Sequence, residues 1–313
     1  MPATAIPAES LRLTLAEALA DLLDAYEVAG RSPHTLTLFR THVGRLIAFL
    51  AQDGIVSLDG VTTAHVTRFL AHERKRGLKP ASLSVSLRTL RRFFQWAVEQ
   101  GHLAGNPARS VMAPTVTVEP VKFLSSDDLD RLLTCIAKDK TLEGVRDTAF
   151  VRVLMDTGLR RGEVIGLRVT DVSDDLRLLT VRGATSKTRH GRTVTVGRVT
   201  ANALRTYLRV RTAYLARNGR SGEAALWVGA KGVMSDNGAL QMFHRRLEAA
   251  GLPKRSLHSL RHGWAAGLVA DGVPMPYIVS LGGWANAAMP TNRYGQHGVA
   301  GRAIEAMQKH LDR

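Results

Sequence analysis

Cysteine is almost absent from this sequence. Cys135 stands alone in 313 residues, so no internal disulfide can form and no CxxC pair exists to bind a metal or cycle redox electrons. It lies in Leu132-Leu133-Thr134-Cys135-Ile136, an apolar helical run that reads as core packing. HExxH is missing too, which leaves a structural zinc or zincin site without support. No window approaches about 18 consecutive apolar residues, so no segment reads as a membrane-spanning helix. Met1 to Leu15 lacks a positive stretch followed by an apolar one, the mark of a secretory leader. These absences point to a reducing cytoplasm.

Negative charge is also scarce. Asp plus Glu number 27 against 43 Lys plus Arg, a net charge of +16 with a sequence pI near 10.8. Such a surplus implies a polyanionic partner, nucleic acid first and an anionic membrane surface second. A merely arginine-rich composition is the plainer alternative. The hydrophobic fraction of 45% suffices for a core in each of two domains of ordinary size, about 100–200 residues each.

Residues 1–10, with three Ala and two Pro, read as a loose tail. Four helical segments follow and fill 11–112. The first runs from Leu11 to Ala29, with Leu15, Leu19, Leu22, Leu23 and Tyr26 at helical spacing. Ser32 caps the second, Pro33 opens it, and it runs to about Ala51. Thr62 or Thr63 caps the third, which ends at Gly77. Pro80 opens the fourth, which runs to about Gln100 with Leu83, Leu87, Leu90, Phe93, Phe94 and Ala97 inward. Arg74, Lys75, Arg76 and Lys79 surround the turn between the last two helices, and Arg88, Arg91 and Arg92 continue along the fourth. Few acidic residues stand at i±4 to neutralise them, so this face reads as one that meets phosphates.

Residues 113–122 contain two prolines and no helical period, which marks an extended linker and a domain boundary. The remainder, 123–313, is mixed. Helices are expected from Ser125 through Ile136, over Glu143 to Asp156 and in a short run ending at Leu167. Leu176–Arg182 and Arg192–Val196 alternate and are β-branched, so they read as two strands joined by a polar turn containing Lys187. Further helices are expected at about 199–216, 237–250, 257–271, 274–282 and 298–311. The fold class is therefore mainly α with a small antiparallel sheet.

Three short constellations carry chemistry. In Thr157-Gly158-Leu159-Arg160-Arg161-Gly162-Glu163 a glycine turn sets Arg160 at the mouth of a helix, with Glu163 on the same face. A local ion pair is the plain reading. In Leu257-His258-Ser259-Leu260-Arg261-His262 the pair His258 and Arg261 share a helix face, and a guanidinium beside an imidazole can grip a phosphate. Leu281-Gly282-Gly283-Trp284 is followed by Tyr294, one of only five tyrosines, in Asn292-Arg293-Tyr294-Gly295. Pro290 is expected to interrupt any helix leading to that tyrosine, and His262 is expected to pack behind His258.

Taken in order, TGLRxxE, a Lys in a hairpin turn, HxLRH, LGxW and a late RY resemble the tyrosine recombinases, the phage integrases and Xer-type resolvases. The resemblance covers about residues 10–313. It implies an N-terminal four-helix core-binding domain, closed by Gly105-Asn106-Pro107, and an α/β catalytic domain that together clamp duplex DNA. It implies Tyr294 as nucleophile, Arg160 and Arg261 as a clamp on the scissile phosphate, and Lys187 as the acid for the leaving 5′ oxygen. His258 would assist proton transfer, Trp284 would donate its indole N–H or buttress the site, and Glu163 would orient its neighbours.

The physical logic agrees. Two guanidiniums neutralise the phosphate oxygens and stabilise the charge of the transition state. A cationic pocket favours the phenolate of a residue whose ordinary pKa is about 10. A covalent phosphotyrosine conserves the energy of the cut bond, so rejoining needs neither ATP nor metal, and no cofactor is expected. The family further implies a homotetramer on DNA, with a second recombinase or accessory protein as a possible partner. The segment 298–311 would dock on a neighbour. Arg88, Arg91 and Lys254 are candidates for base contacts. A DNA-binding accessory protein without cleavage, and a type IB topoisomerase, are the alternative functions.

Overall fold

The N-terminal helices begin where side chains can close their first turns. In a computed structural model of the chain, which describes residues 13–116, 123–183 and 191–294, helix α1 spans Leu15–Val28. It starts four residues later than the sequence pattern suggests. Thr14 accepts from the Glu17 amide while Glu17 reaches back to the Thr14 amide, a reciprocal cap that fixes the start. Just before it, the Leu13 carbonyl accepts from the Leu58 amide and the Leu15 amide donates to the Val56 carbonyl, an extended pairing around Thr14 that a helix beginning at Leu11 would forbid. Helix α2 spans Pro33–Ala51, capped by Ser32 with Pro33 at its first position. Helix α3, Thr63–Lys75, is capped by Thr62, and α4 is Pro80–Glu99.

These four helices form one unit, Met1–Glu119, around its own core. Leu22, Val43, Leu46, Leu50, Val66, Leu90, Phe93, Phe94 and Ala97 are fully buried. The buried Glu73 carboxylate takes Arg45 and Arg76, so Arg76 is one member of the basic turn with a carboxylate partner. Arg91 donates to the carbonyls of Ala108 and Val111, and Asn106 donates to the Arg91 carbonyl. The Gly105-Asn106-Pro107 exit is thereby sewn onto α4.

The second unit is Pro120–Arg313. Helix α5, Ser126–Ala137, has the expected Ser125–Asp128 cap. Helix α6, Leu142–Thr157, runs through the centre and packs against α5, the helix α8 (Arg198–Arg217) and the helix α10 (His258–Ala270). It is buried on most faces, including Phe150, Val151, Val153 and Leu154, and so carries little amphipathic signal. Cys135 is half-buried at the edge of α5 rather than inside the core.

Strands β1 (Leu178–Val181) and β2 (Arg192–Thr195) pair antiparallel, with Leu179 opposite Val194 and Val181 opposite Arg192. The first is shorter than expected because Leu176 has φ of 61° and belongs to a turn held by Ser173 and Asp175. A second hairpin, β3 (Val228–Gly229) with β4 (Gly232–Val233), has no counterpart in the sequence reading. It places Trp227 in the core, stacked on Tyr207 at 5.5 Å and bonded to the Val164 carbonyl at 2.7 Å. Short α7 (Arg161–Ile165), α9 (Asp236–Ala249), α11 (Met275–Gly282) and α12 (Ala288–Tyr294) complete the unit. Pro290 does not interrupt the path to Tyr294. It occupies the first turn of α12, where its missing N–H costs nothing. No helix among the described residues is long and apolar enough to cross a membrane.

Candidate active site

The site begins with a glycine. Gly158 ends α6 in the left-handed conformation, φ 57°, and a Cβ there would run into the Trp264 ring. The reversal makes Arg160 the N-cap of α7. Glu163 accepts from the Arg160 amide at 2.9 Å and from its guanidinium at 2.9 Å. The plain ion pair read from the sequence is thus part of something larger. Arg192, the first residue of β2, reaches the same carboxylate with both terminal nitrogens, at 3.0 and 2.8 Å. Glu163 is 1% exposed. Burial alone would raise its pKa, but the hydrogen bonds from Arg192 and the Arg160 amide, with both positive charges, hold it below the usual carboxylate range.

Arg261 comes from α10 and is 1% exposed. It donates to the carbonyls of Gly158 at 2.6 Å and Gly282 at 2.8 Å. Its guanidinium carbon lies 4.0 Å from the centre of the Trp284 ring, which in turn stacks on Trp264 at 6.1 Å. Trp284 thus presents its ring face to the Arg261 guanidinium. Desolvation, then the charge of Arg160, brings Arg261 down to about 9. Together Arg160, Arg192, His258, Arg261 and Trp284 line a cleft of about 970 Å³.

His258 faces this cleft one turn before His262 on α10, and the two rings meet edge to face at 4.3 Å. Desolvation and the charges of Arg261, Arg293 and Arg160 lower His258 to about 4. Desolvation, His258 and Arg293 take His262 to about 3. Both rings are therefore neutral near pH 7. Tyr294 is 1% exposed, and its hydroxyl is hydrogen-bonded to Nδ1 of His262. Burial raises its pKa, against the pull of Arg293 and Arg261. His262 does more than pack behind His258, because it holds the phenol. Its i+4 spacing from His258 was the sequence signal for this. Arg192 had none, since its partners are remote in sequence.

Of the other sequence candidates, Lys187 lies outside the described residues, as do the tail 1–10, part of the linker and the segment 298–311. Arg74, Lys75, Lys79, Arg88 and Lys254 are exposed. Arg92 is tied to Tyr26 and Glu99, and Arg91 is anchored on the two carbonyls given above, so these two members of the basic face have partners within the unit. Arg88, Arg91, Arg92 and Arg109 nevertheless line a shallow groove of about 430 Å³ in the first unit, with Arg109 a member the sequence reading passed over. Among the described residues, no three His, Cys, Asp or Glu side chains gather as metal ligands.

The profile of the phage integrase family matches residues 122–299, and that of the phage integrase N-terminal SAM-like domain matches 21–101. The chain belongs to the phage integrase family of tyrosine recombinases. Tyrosine recombinase XerC of Haemophilus influenzae (strain 86-028NP) is 30% identical over 260 residues, covering 82% of this chain and 84% of the relative. Tyrosine recombinase XerC of Salmonella typhi is 31% identical over 261 residues, 82% of each chain. Among solved structures, the Tn1549 transposon integrase in complex with transposon right end DNA superposes with a TM-score of 0.71 at 21% identity, covering 95% of this chain and 99% of that one. A lambda integrase dimer bound to a core site gives 0.68 at 20% identity, over 88% and 97%. These two likenesses establish that the recombinase shares the integrase fold.

Proposed function

We propose that this recombinase cuts and rejoins duplex DNA at a specific site in the cytoplasm, with Tyr294 as the nucleophile and a 3′-phosphotyrosyl intermediate. The observation that carries the reading is the meeting of Arg160 and Arg261, from α7 and α10, with His258 in one cleft. Two guanidiniums with spare donors suit the two non-bridging oxygens of a phosphodiester, and they neutralise the charge that builds as the phenol attacks. A neutral His258 is ready to exchange a proton at near-neutral pH. Trp284 holds the Arg261 plane from beneath. Lys187, in the connection between β1 and β2, is assigned the proton for the departing 5′ oxygen.

Attack requires the Tyr294 hydroxyl to leave His262 and enter the cleft. The Trp284 ring, part of the cleft wall, stands 6.3 Å from the Tyr294 ring, so the journey is short. In its docked position His262 offers a neutral acceptor for the phenolic hydrogen. The basic residues of the first unit, Arg74, Lys75, Lys79, Arg88 and Arg109, are assigned to phosphate contacts, which dominate the affinity of such proteins for duplex DNA. Assembly as four protomers on two sites is proposed by likeness to the lambda integrase tetramer bound to a Holliday junction.

A duplex carrying the target site and a nick beside the scissile phosphate tests the reading. The short fragment diffuses away after cleavage and traps the protein on DNA. The wild type is expected to form the covalent adduct and Tyr294→Phe to form none. An adduct with Tyr294→Phe would remove the assignment of the nucleophile. Relaxation of supercoiled DNA lacking any target site would instead place the activity with the type IB topoisomerases.

A further inference from the structure

The end of α11 presents three consecutive carbonyls to the cleft, and each is taken by a different arginine. Arg192 Nε donates to Leu281 at 2.7 Å, Arg261 to Gly282 at 2.8 Å and Arg160 to Gly283 at 2.7 Å. A helix leaves its last carbonyls without backbone donors and concentrates negative potential there. Here the helix closes through the left-handed Gly283, whose amide bonds back to Ser280, while the Trp284 amide bonds back to Val279. Those two bonds satisfy the carbonyls of 279 and 280, and the next three face the arginines. Both glycines are demanded by this closure. A Cβ on Gly282 would meet the Trp284 ring, and one on Gly283 would fall 2.7 Å from the Arg192 guanidinium.

Three guanidiniums meet at this helix end with one carboxylate, Glu163, bonded to two of them, and the charges of Arg160 and Arg192 repel that of Arg261, which would splay them. The carbonyl row opposes it, because each arginine has a fixed acceptor of its own. Arg192 has the widest reach of the three. It joins β2 to α7 through Glu163 with two bonds and to α11 through Leu281 with a third. We propose that the carbonyl end of α11 is a platform that holds Arg160 and Arg261 apart and aimed at the phosphate, and that Arg192 is the positioning residue that rivets this platform to Glu163. The proposal rests on the reading of Arg160 and Arg261 as the phosphate clamp. Arg192 acts through them: remove it, and Glu163 keeps only Arg160, α11 loses its link to β2, and the clamp drifts while DNA binding elsewhere is untouched.

The test is single-turnover adduct formation on the nicked duplex at saturating protein, with DNA affinity and melting temperature measured beside it. Arg192→Ala is expected to slow adduct formation on the order of 10²-fold, the effect of misplacing reacting groups by about 1 Å, with a much smaller change in affinity. Free guanidinium ion at millimolar concentration should fill the vacated space and restore part of the rate in Arg192→Ala, with no such gain in the wild type. Adduct formation at the wild-type rate would overturn the proposal. So would a loss of rate matched by an equal loss of affinity, or a folded variant that guanidinium does not help. If Arg192→Ala melts below the assay temperature, Arg192→Lys carries the test. It keeps the charge but cannot span Glu163 and Leu281 together, so a slowed rate at unchanged affinity is expected, and wild-type speed overturns the assignment. A wild type that forms no adduct would instead overturn the phosphotyrosine reading itself.

Discussion

Two arginine clusters lie in the catalytic unit, and they are built on opposite principles. Arg146 and Arg246 share Asp139 and Asp147, two positive charges against two negative, with Arg246 reaching Asp139 at 2.7 Å and Asp147 at 2.8 Å. Arg160 and Arg192 share one carboxylate, Glu163, Arg261 is bonded to backbone carbonyls, and carbonyl dipoles make up the difference for all three. The titration of the arginines follows. Desolvation would lower Arg246, but the hydrogen bonds and charges of Asp139 and Asp147 raise it, whereas Arg261 falls to about 9. The first cluster is electrically finished and holds helices together. The second is two charges short of neutrality, which suits the anionic phosphate of the proposed function.

Breaking the balanced cluster should cost the most in stability. Arg246→Ala leaves the buried Asp147 with Arg146 alone, and unfolding free energy is expected to fall by about 3 kcal/mol, read from the urea midpoint. Adduct formation by the folded fraction should hardly change. A variant that lost cleavage while keeping its stability would erase the distinction between the clusters.

In the unbalanced cluster the effect should appear in rate. Arg261→Ala is expected to slow adduct formation by about 10²–10³-fold. The wild type should also gain melting temperature in sulfate, because an anion that binds only the folded cleft stabilises it by mass action. Arg261→Ala should lose most of that gain, and an equal gain in both would show that sulfate acts elsewhere.

The clusters should also part in acid. His262 beside the cleft titrates at about 3 in the folded chain against about 6.5 unfolded. As pH falls, the unfolded chain takes up the proton first, so stability present above 6.5 drains away between 6.5 and 3. The slope approaches about 1.4 kcal/mol per pH unit for this one group. Asp139, held near 2 by Thr141 and Arg246, loses its contribution only below its ordinary value of 3.8. His262→Gln should flatten the stability profile between pH 6.5 and 4 by about one proton. The smallest effect belongs to an exposed arginine with neither kind of network: Arg88→Gln should lower the slope of log affinity against log salt by about 0.9.

What the sequence disclosed was local. Gly158, Arg160 and Glu163 lie within one turn, so the glycine reversal and the ion pair could be read directly, as could the caps at Ser32, Thr62 and Ser125. The helical core-binding pattern, with Phe93 and Phe94 inward, was legible because each helix has one dry face. The misreadings arose where distant backbone decides. The start of α1 is set by Val56 and Leu58, and the turn at Leu176 by Ser173. Strands β3 and β4, two residues each, are too short to show a period. Arg192 escaped notice as a site residue because its partners, Glu163 and Leu281, lie 29 and 89 positions away, and His262 was legible beside His258 but not in its bond to Tyr294, 32 positions on. A motif can name which residue types meet, but the carbonyls that hold them have no letter of their own in a sequence.

Gly158 has a consequence for anyone assembling hybrid recombinases. Its carbonyl holds Arg261, and its missing side chain makes room for Trp264, so the turn after α6 and the helix α10 are cut to one another's shape. Swapping either alone would import a neighbour that does not fit. The set to exchange together is discontinuous, residues 157–163 and 258–284 with Arg192, which is bonded to both segments.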